Sequence, residues 1–207
     1  MKKIKYLAAA WTVAALVSFG AVQAQIIPNT YIAIDWQYNM PAGSHFADKG
    51  TGWGMNFEGG YFVTPAITVG PFISYHTNLK SIDRQTLQLA PGTAMTTNQK
   101  HSLFQLPFGV AGRYNFMEGS VLQPYVGLKL GASYAQMSSY YYIVKQHDDT
   151  WGFYAAPEIG LSIFPIPSRR FGIHMALFYG YATNNTQLLN YSISGMNSYG
   201  VRVGVSF

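Results

Sequence analysis

The chain has 207 residues, no cysteine, 10% charged and 16% aromatic residues, 21 glycines and a formal charge of +5. These values exclude a disulfide scaffold and a charge-rich disordered chain. They also exclude a polytopic bundle of apolar helices, because only one long apolar run is present, at the N-terminus.

That run is the first element. Lys2, Lys3 and Lys5 precede the apolar stretch Tyr6 to Val17, and Val22-Gln23-Ala24 places small residues where a signal peptidase cuts. The pattern predicts a signal peptide over residues 1–24 and a folded domain over 25–207. The apolar core has the length of a signal h-region and is short for a membrane-spanning helix. Without its three lysines the formal charge falls from +5 to +2. The basic balance therefore belongs mainly to targeting, and no nucleic-acid partner is expected.

From Tyr31 onward apolar positions recur with period two, the signature of strands with one oily face. In the first segment Ile32, Ile34, Trp36, Tyr38 and Met40 oppose Ala33, Asp35, Gln37 and Asn39. The second sets Trp53, Met55, Phe57, Tyr61 and Val63 against Gly52, Gly54, Asn56, Glu58 and Gly60, and the third sets Ile67, Val69, Ile73 and Tyr75 against Thr68, Gly70, Ser74 and His76. Phe104 to Phe116 forms the fourth, with Gln105, Gly109, Ala111 and Arg113 behind it. The fifth runs from Leu122 to Tyr134 with Lys129 on its polar face, and the sixth from Trp151 to Ile163 with Glu158 on its own. Phe171 to Tyr181 and Tyr199 to Phe207 complete the set, with His174 and Arg202 on their polar faces.

Eight such segments of about ten residues suit tilted strands crossing a bilayer. A soluble β-sandwich also alternates, but it would carry charge on its outer face. Here the polar face is mostly Gly, Ser, Ala and Gln, which suits the crowded inside of a narrow barrel. Connector lengths agree. Thr64-Pro65, the residues around Glu118-Gly119 and the Pro165 to Arg169 turn are short, whereas Pro41–Gly50, Leu79–Asn98, Gln136–Asp149 and Thr183–Asn197 are long. Outward aromatics fall into two belts, one toward each set of connectors, where amphipathic rings settle at membrane interfaces. The predicted fold is all-β, an eight-stranded antiparallel up-and-down transmembrane β-barrel, with both termini periplasmic and the long loops extracellular.

The C-terminal Tyr199-x-Val201-x-Val203-x-Val205-x-Phe207 looks like the insertion signal read by the barrel-assembly machinery, and Pro124-Tyr125-Val126-Gly127-x-Lys129-x-Gly131 looks like a fifth barrel strand. On these residues the chain resembles the small eight-stranded outer-membrane barrels, the superfamily of the OmpA transmembrane domain and OmpX. The resemblance spans essentially the whole mature chain and implies location in the bacterial outer membrane. It implies contact with outer-membrane lipid and lipopolysaccharide, and passage through the assembly machinery. It does not select a member, and no cell-wall-binding domain is expected.

With this parity the lumen receives Asp35, Glu58 and Glu158 together with Arg113, Lys129 and Arg202, plus His76 and His174. An eight-stranded barrel is just wide enough to be filled by side chains, so a charge-paired plug is expected. A gated ion path through the same charges is the alternative. Ser44, His45, Asp48, His76, His101, Ser102, His147, Asp148 and Asp149 are the candidates for a Ser/His/acid set for lipid chemistry. All except His76 are expected to be solvated loop residues, and no metal site or cofactor is expected. Pro71, Pro107 and Pro157 lie inside strands, where proline removes a ladder hydrogen bond. They predict local bulges or bends; in the outer-membrane palmitoyltransferase family strand prolines open lateral gaps for lipid. The apolar long loops, with Leu87 to Gly92 and Tyr140 to Val144, are expected either to extend the strands or to meet a surface partner. The expected role is structural or surface-interacting, with a small channel or a lipid-modifying enzyme as rivals.

Overall fold

The computed structural model describes residues 29–43, 46–90, 93–117, 120–141, 144–165, 171–188 and 191–207. The expected signal peptide, Ser44, His45, Pro91-Gly92, Glu118-Gly119, Tyr142-Ile143 and residues 166–170 lie outside the described residues. Ten strands follow one another: β1 (Thr30–Ala42), β2 (Gly54–Phe62), β3 (Ile67–Ala90), β4 (Thr93–Asn115), β5 (Leu122–Tyr141), β6 (Val144–Ile163), β7 (Gly172–Ala182), β8 (Asn185–Leu188), β9 (Tyr191–Ser194) and β10 (Asn197–Ser206). Eight of them close into a barrel in the order β1-β10-β7-β6-β5-β4-β3-β2, while β8 and β9 pair only with each other.

Closure is made by the last strand meeting the first. Ile34 pairs with Val205 and Tyr38 with Val201 in antiparallel register, and Ile32 and Phe207 exchange backbone hydrogen bonds of 3.1 and 2.8 Å. The alternation places side chains as the sequence predicts. Trp36, Ile73, Leu128, Ile159, Leu177 and Val203 face outward and are exposed, whereas Asp35, Ser74, Lys129, Glu158, Ala176 and Arg202 face inward and are buried. This is the inverse of a soluble sandwich, whose exposed surface never carries so continuous an apolar band. At one rim the chain reverses within Thr64-Pro65, where the Ile67 amide donates to the Thr64 hydroxyl (3.0 Å).

At the other rim two long connectors are strands. β3 and β4 stay paired out to Ala90↔Thr93, with register shifts between Ile82 and Gln85 and between Gln88 and Ala90, and β5 and β6 stay paired to Tyr141↔Val144. β4 and β5 remain joined as far as Gln99↔Tyr141. Beyond the aromatic belt the wall therefore continues as a four-stranded sheet up to the level of Gln99↔Tyr141, and β3–β4 run on alone as a two-stranded ribbon. The last long connector, 183–197, carries the β8–β9 hairpin.

The strand prolines do not produce bulges. Pairing lapses for two register positions in β2–β3 between Glu58↔Phe72 and Tyr61↔Val69. It lapses likewise in β3–β4 between Ile73↔Phe108 and His76↔Gln105, and in β6–β7 between Ala155↔Tyr181 and Glu158↔Phe178. Each lapse contains one proline and the register resumes unchanged. The missing N–H removes a rung without inserting a residue, so the expectation of a bulge is corrected to a gap in the ladder. On its other side Pro71 keeps its pairing with Val110, Pro107 with Ser133 and Pro157 with Leu128.

Glycine is required where strands crowd the lumen. Gly109 and Gly131 face each other across β4–β5, and a Cβ on Gly131 would sit 2.0 Å from the Phe108 carbonyl oxygen and 2.7 Å from the Gly109 Cα. Backbone atoms cannot yield as a side chain can. Gly131→Ala is expected to cost about 1–3 kcal/mol, the usual cost of overpacking, read as a lower urea midpoint of the refolded barrel in a heat-modifiable gel-shift assay; an unchanged midpoint would show that the strands relax freely.

Candidate functional site: the filled lumen and its mouth

Six charged side chains were expected inside, and all six are there, each no more than 5% exposed. Five form one cluster. Glu58 meets Arg113 through Nε (2.5 Å) and Lys129 through Nζ (2.7 Å). Glu158 meets Arg202 through Nη1 (2.5 Å) and Lys129 (3.1 Å), with Arg113 at 3.7 Å. Lys129 thus bridges two carboxylates from β2 and β6, strands on opposite sides of the ring. Buried charges persist only when countered, and this sharing gives each of the five an opposite charge, while Glu58 Oε2, Arg113 Nε and Nη2 and Arg202 Nη2 make no hydrogen bond.

The expected pairing of three acids with three bases is not what the geometry shows. Asp35 joins no Lys or Arg; its Oδ1 lies 2.6 Å from His174 Nδ1 and its Oδ2 accepts from the Asn56 amide (2.9 Å). Asn56 then accepts from Lys129 (2.9 Å), which ties Asp35 to the cluster indirectly. On the other side His174 Nε2 lies 2.8 Å from the Tyr125 hydroxyl, which reaches Glu158 at 3.1 Å. His76 sits 3.4 Å from the Gln37 amide, and Gln37 accepts from Arg202 (2.9 Å).

Sequence reasoning missed the inward aromatics. The Arg113 guanidinium lies between the Tyr31 and Tyr125 rings, 4.8 and 4.4 Å from their centroids, and the Tyr31 hydroxyl donates to Glu58. Arg202 stacks over Phe178 at 4.0 Å and Lys129 lies 5.5 Å from Phe72. Parity carried the signal: Tyr31 shares a face with Asp35, Phe72 with Ser74, Tyr125 with Lys129 and Phe178 with His174. Cations placed on ring faces out of water are held by the ring quadrupole, so these residues both fill the lumen and hold its charges. At the short-turn end a recess of about 30 Å³ remains, lined by Tyr31, Thr68, Arg113, Asn115, Gln123 and Ser162 among others. That is room for about one water.

Toward the long-hairpin mouth the lining changes from ionic to polar to apolar. Asn39 donates to Asn78 (3.1 Å) and Gln105 to Ser133 (2.9 Å). Phe46, Leu103, Ala135, Met137, Ile193 and Met196 then form a buried apolar cluster. His101, expected in a solvated loop, is fully buried here because its segment is strand; its Nδ1 is 2.8 Å from Ser139 Oγ across the β4–β5 pair. Ser102 and Asp148 likewise lie within strands, Asp148 accepting from Thr186 (2.5 Å). Among the described residues no three His, Cys, Asp or Glu side chains gather as a metal site. Tyr199, Val201 and Val203 of the proposed insertion signal point outward and are exposed, and the terminal Phe207 packs edge-on against Phe171 at 5.6 Å.

An apolar outer face around a closed antiparallel ring of strands defines a bilayer-spanning barrel. Residues 10–207 match the family described as outer membrane protein beta-barrel domain; the chain belongs to that family and its place is the bacterial outer membrane. No curated relative matches the chain in sequence. Among solved structures it is similar to neisserial surface protein A, at 13% identity over 86% of this chain and 96% of that one, with a TM-score of 0.52. It is also similar to Ail of Yersinia pestis in complex with the heparin analogue sucrose octasulfate, at 15% identity over 86% and 97% of the two chains and a TM-score of 0.49. The N-terminal barrel of Pseudomonas aeruginosa OprF matches at 17% identity over 86% and 98%, with a TM-score of 0.43. The likeness to neisserial surface protein A shows a shared fold.

Removing one carboxylate strands buried cations. Glu158→Gln leaves Arg202 and Lys129 short of countercharge and is expected to destabilise the refolded barrel by about 3–5 kcal/mol, the usual cost of breaking a buried pair. The urea midpoint checks this, and a shift no larger than that of Asp48→Asn, an exposed control, would contradict it.

Proposed function

We propose that this chain is a non-catalytic surface protein of the outer membrane, with a lumen closed by its own side chains and partner contacts made through the long hairpins. What supports this reading is a lumen lined by buried, paired charges together with strands β3–β6 that stay paired beyond the aromatic belt, β3–β4 running farthest. A solid lumen offers no path for solute. A sheet standing clear of the bilayer has an outer edge along β3, where an extended chain can add by main-chain hydrogen bonds. Lipopolysaccharide or a surface protein of another cell suits that position, and no cofactor is called for.

This reading sets the hairpins outside and both termini in the periplasm, with export directed by a leader ending at Ala24 and assembly guided by Tyr199, Val201, Val203, Val205 and Phe207. The small-channel reading loses ground because it needs solvent to reach charges that are here buried and paired.

Two measurements test it. Refolded barrel, verified by its heat-dependent gel shift, is expected to give no conductance steps in planar bilayers; reproducible steps altered by Glu58→Gln would establish a channel instead. Trypsin added to intact cells is expected to cut at Arg84 and Lys100, which are exposed in the hairpin, and to leave the barrel whole. Cleavage seen only after lysis would reverse the orientation, and a mature N-terminus other than Gln25 would move the leader boundary.

A further inference from the structure

The charges of the central cluster do not cancel. Arg113, Lys129 and Arg202 share two carboxylates, Glu58 and Glu158, which leaves one positive charge over among these five. The third acid, Asp35, meets His174 and Asn56 and reaches the cluster only through the Asn56–Lys129 bond. Of the three cations Arg113 lies nearest the short-turn end. It stands two residues before the end of β4 and Thr68 one residue after the start of β3, and the two are register partners.

The recess of about 30 Å³ opens at this place, lined by Thr68, Arg113, Asn115, Gln123, Ser162 and Ser206 beside aromatic rings. The described lining residues offer hydroxyls, amides and one guanidinium, and no carboxylate. Thr68, Ser162 and Ser206 are all buried, and Arg113 is only 5% exposed. The Arg113 guanidinium is flanked by the Tyr31 and Tyr125 rings, yet its Nη2 makes no hydrogen bond within the protein. A cationic donor taken out of water without an acceptor is costly, and the recess is where this side chain meets open space.

We propose that the recess binds one small monovalent anion, a halide of the size of chloride, between the Arg113 guanidinium and the hydroxyls of Thr68, Ser162 and Ser206. Size, charge and donor chemistry each select this class. The space is that of about one water, which a halide fills and a bulkier oxyanion such as sulfate exceeds. The surplus positive charge repels a cation, and a water would satisfy the donor while leaving the charge uncountered. Glu58, the carboxylate next to Arg113, is already countered by Arg113 and Lys129 and accepts from the Tyr31 hydroxyl. An ion held here completes the charge balance of the plug and stabilises the barrel by mass action. The site lies at the end opposite the long hairpins, so it stands or falls independently of the surface-contact role.

Chloride NMR tests this on the refolded barrel in non-ionic detergent, with folding verified by the heat-dependent gel shift. The line broadening caused by the protein is expected to saturate as chloride is titrated, and at equal ionic strength to be reversed by bromide but not by sulfate. Thr68→Val keeps the side-chain shape and removes the hydroxyl. It is expected to raise the half-saturating chloride concentration about tenfold, the loss of one hydrogen bond to a charge, and Ser206→Ala to act in the same direction. Arg113→Gln is expected to abolish saturation; if that variant does not refold, the two hydroxyl variants carry the test. Broadening that never saturates, that both hydroxyl variants leave unchanged, or that sulfate reverses as well as bromide does would mean that ions gather only at surface cations, and would overturn the proposal.

Discussion

In hydrocarbon every backbone N–H and C=O has to find its partner within the protein, and for a sheet this means that the last strand must meet the first. The antiparallel pairing of β10 with β1, from Ala33↔Ser206 outward, satisfies that requirement, and most of the remaining features follow from it. Closure with eight strands fixes a narrow lumen. A narrow lumen cannot hold bulk water, so charges placed inside must be countered by one another. The places where pairing lapses beside Pro71, Pro107 and Pro157 stay short, two register positions each, because a longer lapse would leave backbone groups facing lipid.

The lumen meets its side of the requirement by sharing. Lys129 is divided between Glu58 and Glu158, Arg113 between the same two carboxylates, and Tyr125 between Glu158 and His174. Shared partners make the cluster a single object, so its members succeed or fail together. The arrangement is stratified along the axis. Ion pairs occupy the middle, amides and hydroxyls lie above them, and an apolar cluster containing Phe46 closes the long-hairpin end.

Much of this was legible in the sequence, for a simple reason. Period-two alternation is a local property, so the inward or outward placement of Asp35, Glu58, Arg113, Lys129, Glu158 and Arg202 needed no knowledge of the fold beyond parity. The aromatics that fill the same lumen followed the same parity but were obscured, because Tyr31, Phe72, Tyr125 and Phe178 look like members of the outer band until the facing of their neighbours is counted. The long connectors were harder. Residues 79–98 alternate weakly once lipid no longer demands an oily face, and a strand standing above the bilayer shows little of the pattern that betrays one within it. His101 was misplaced with them.

The amino-acid sequence by itself determined the export leader as an expectation, the all-β class, the strand count of the barrel and which side chains face the lumen, since each depends on composition or on spacing along one strand. Only the tertiary structure decided who meets whom inside: that Asp35 turns to His174 and Asn56 instead of to an arginine, that Lys129 spans two carboxylates from opposite walls, and that Phe46 leaves its loop to stop the mouth. Contacts across the lumen join residues 21 to 165 apart, as the Asp35–Asn56 and Gln37–Arg202 bonds show. Strand tilt and closure set their relative heights across the lumen, and no local pattern encodes a height.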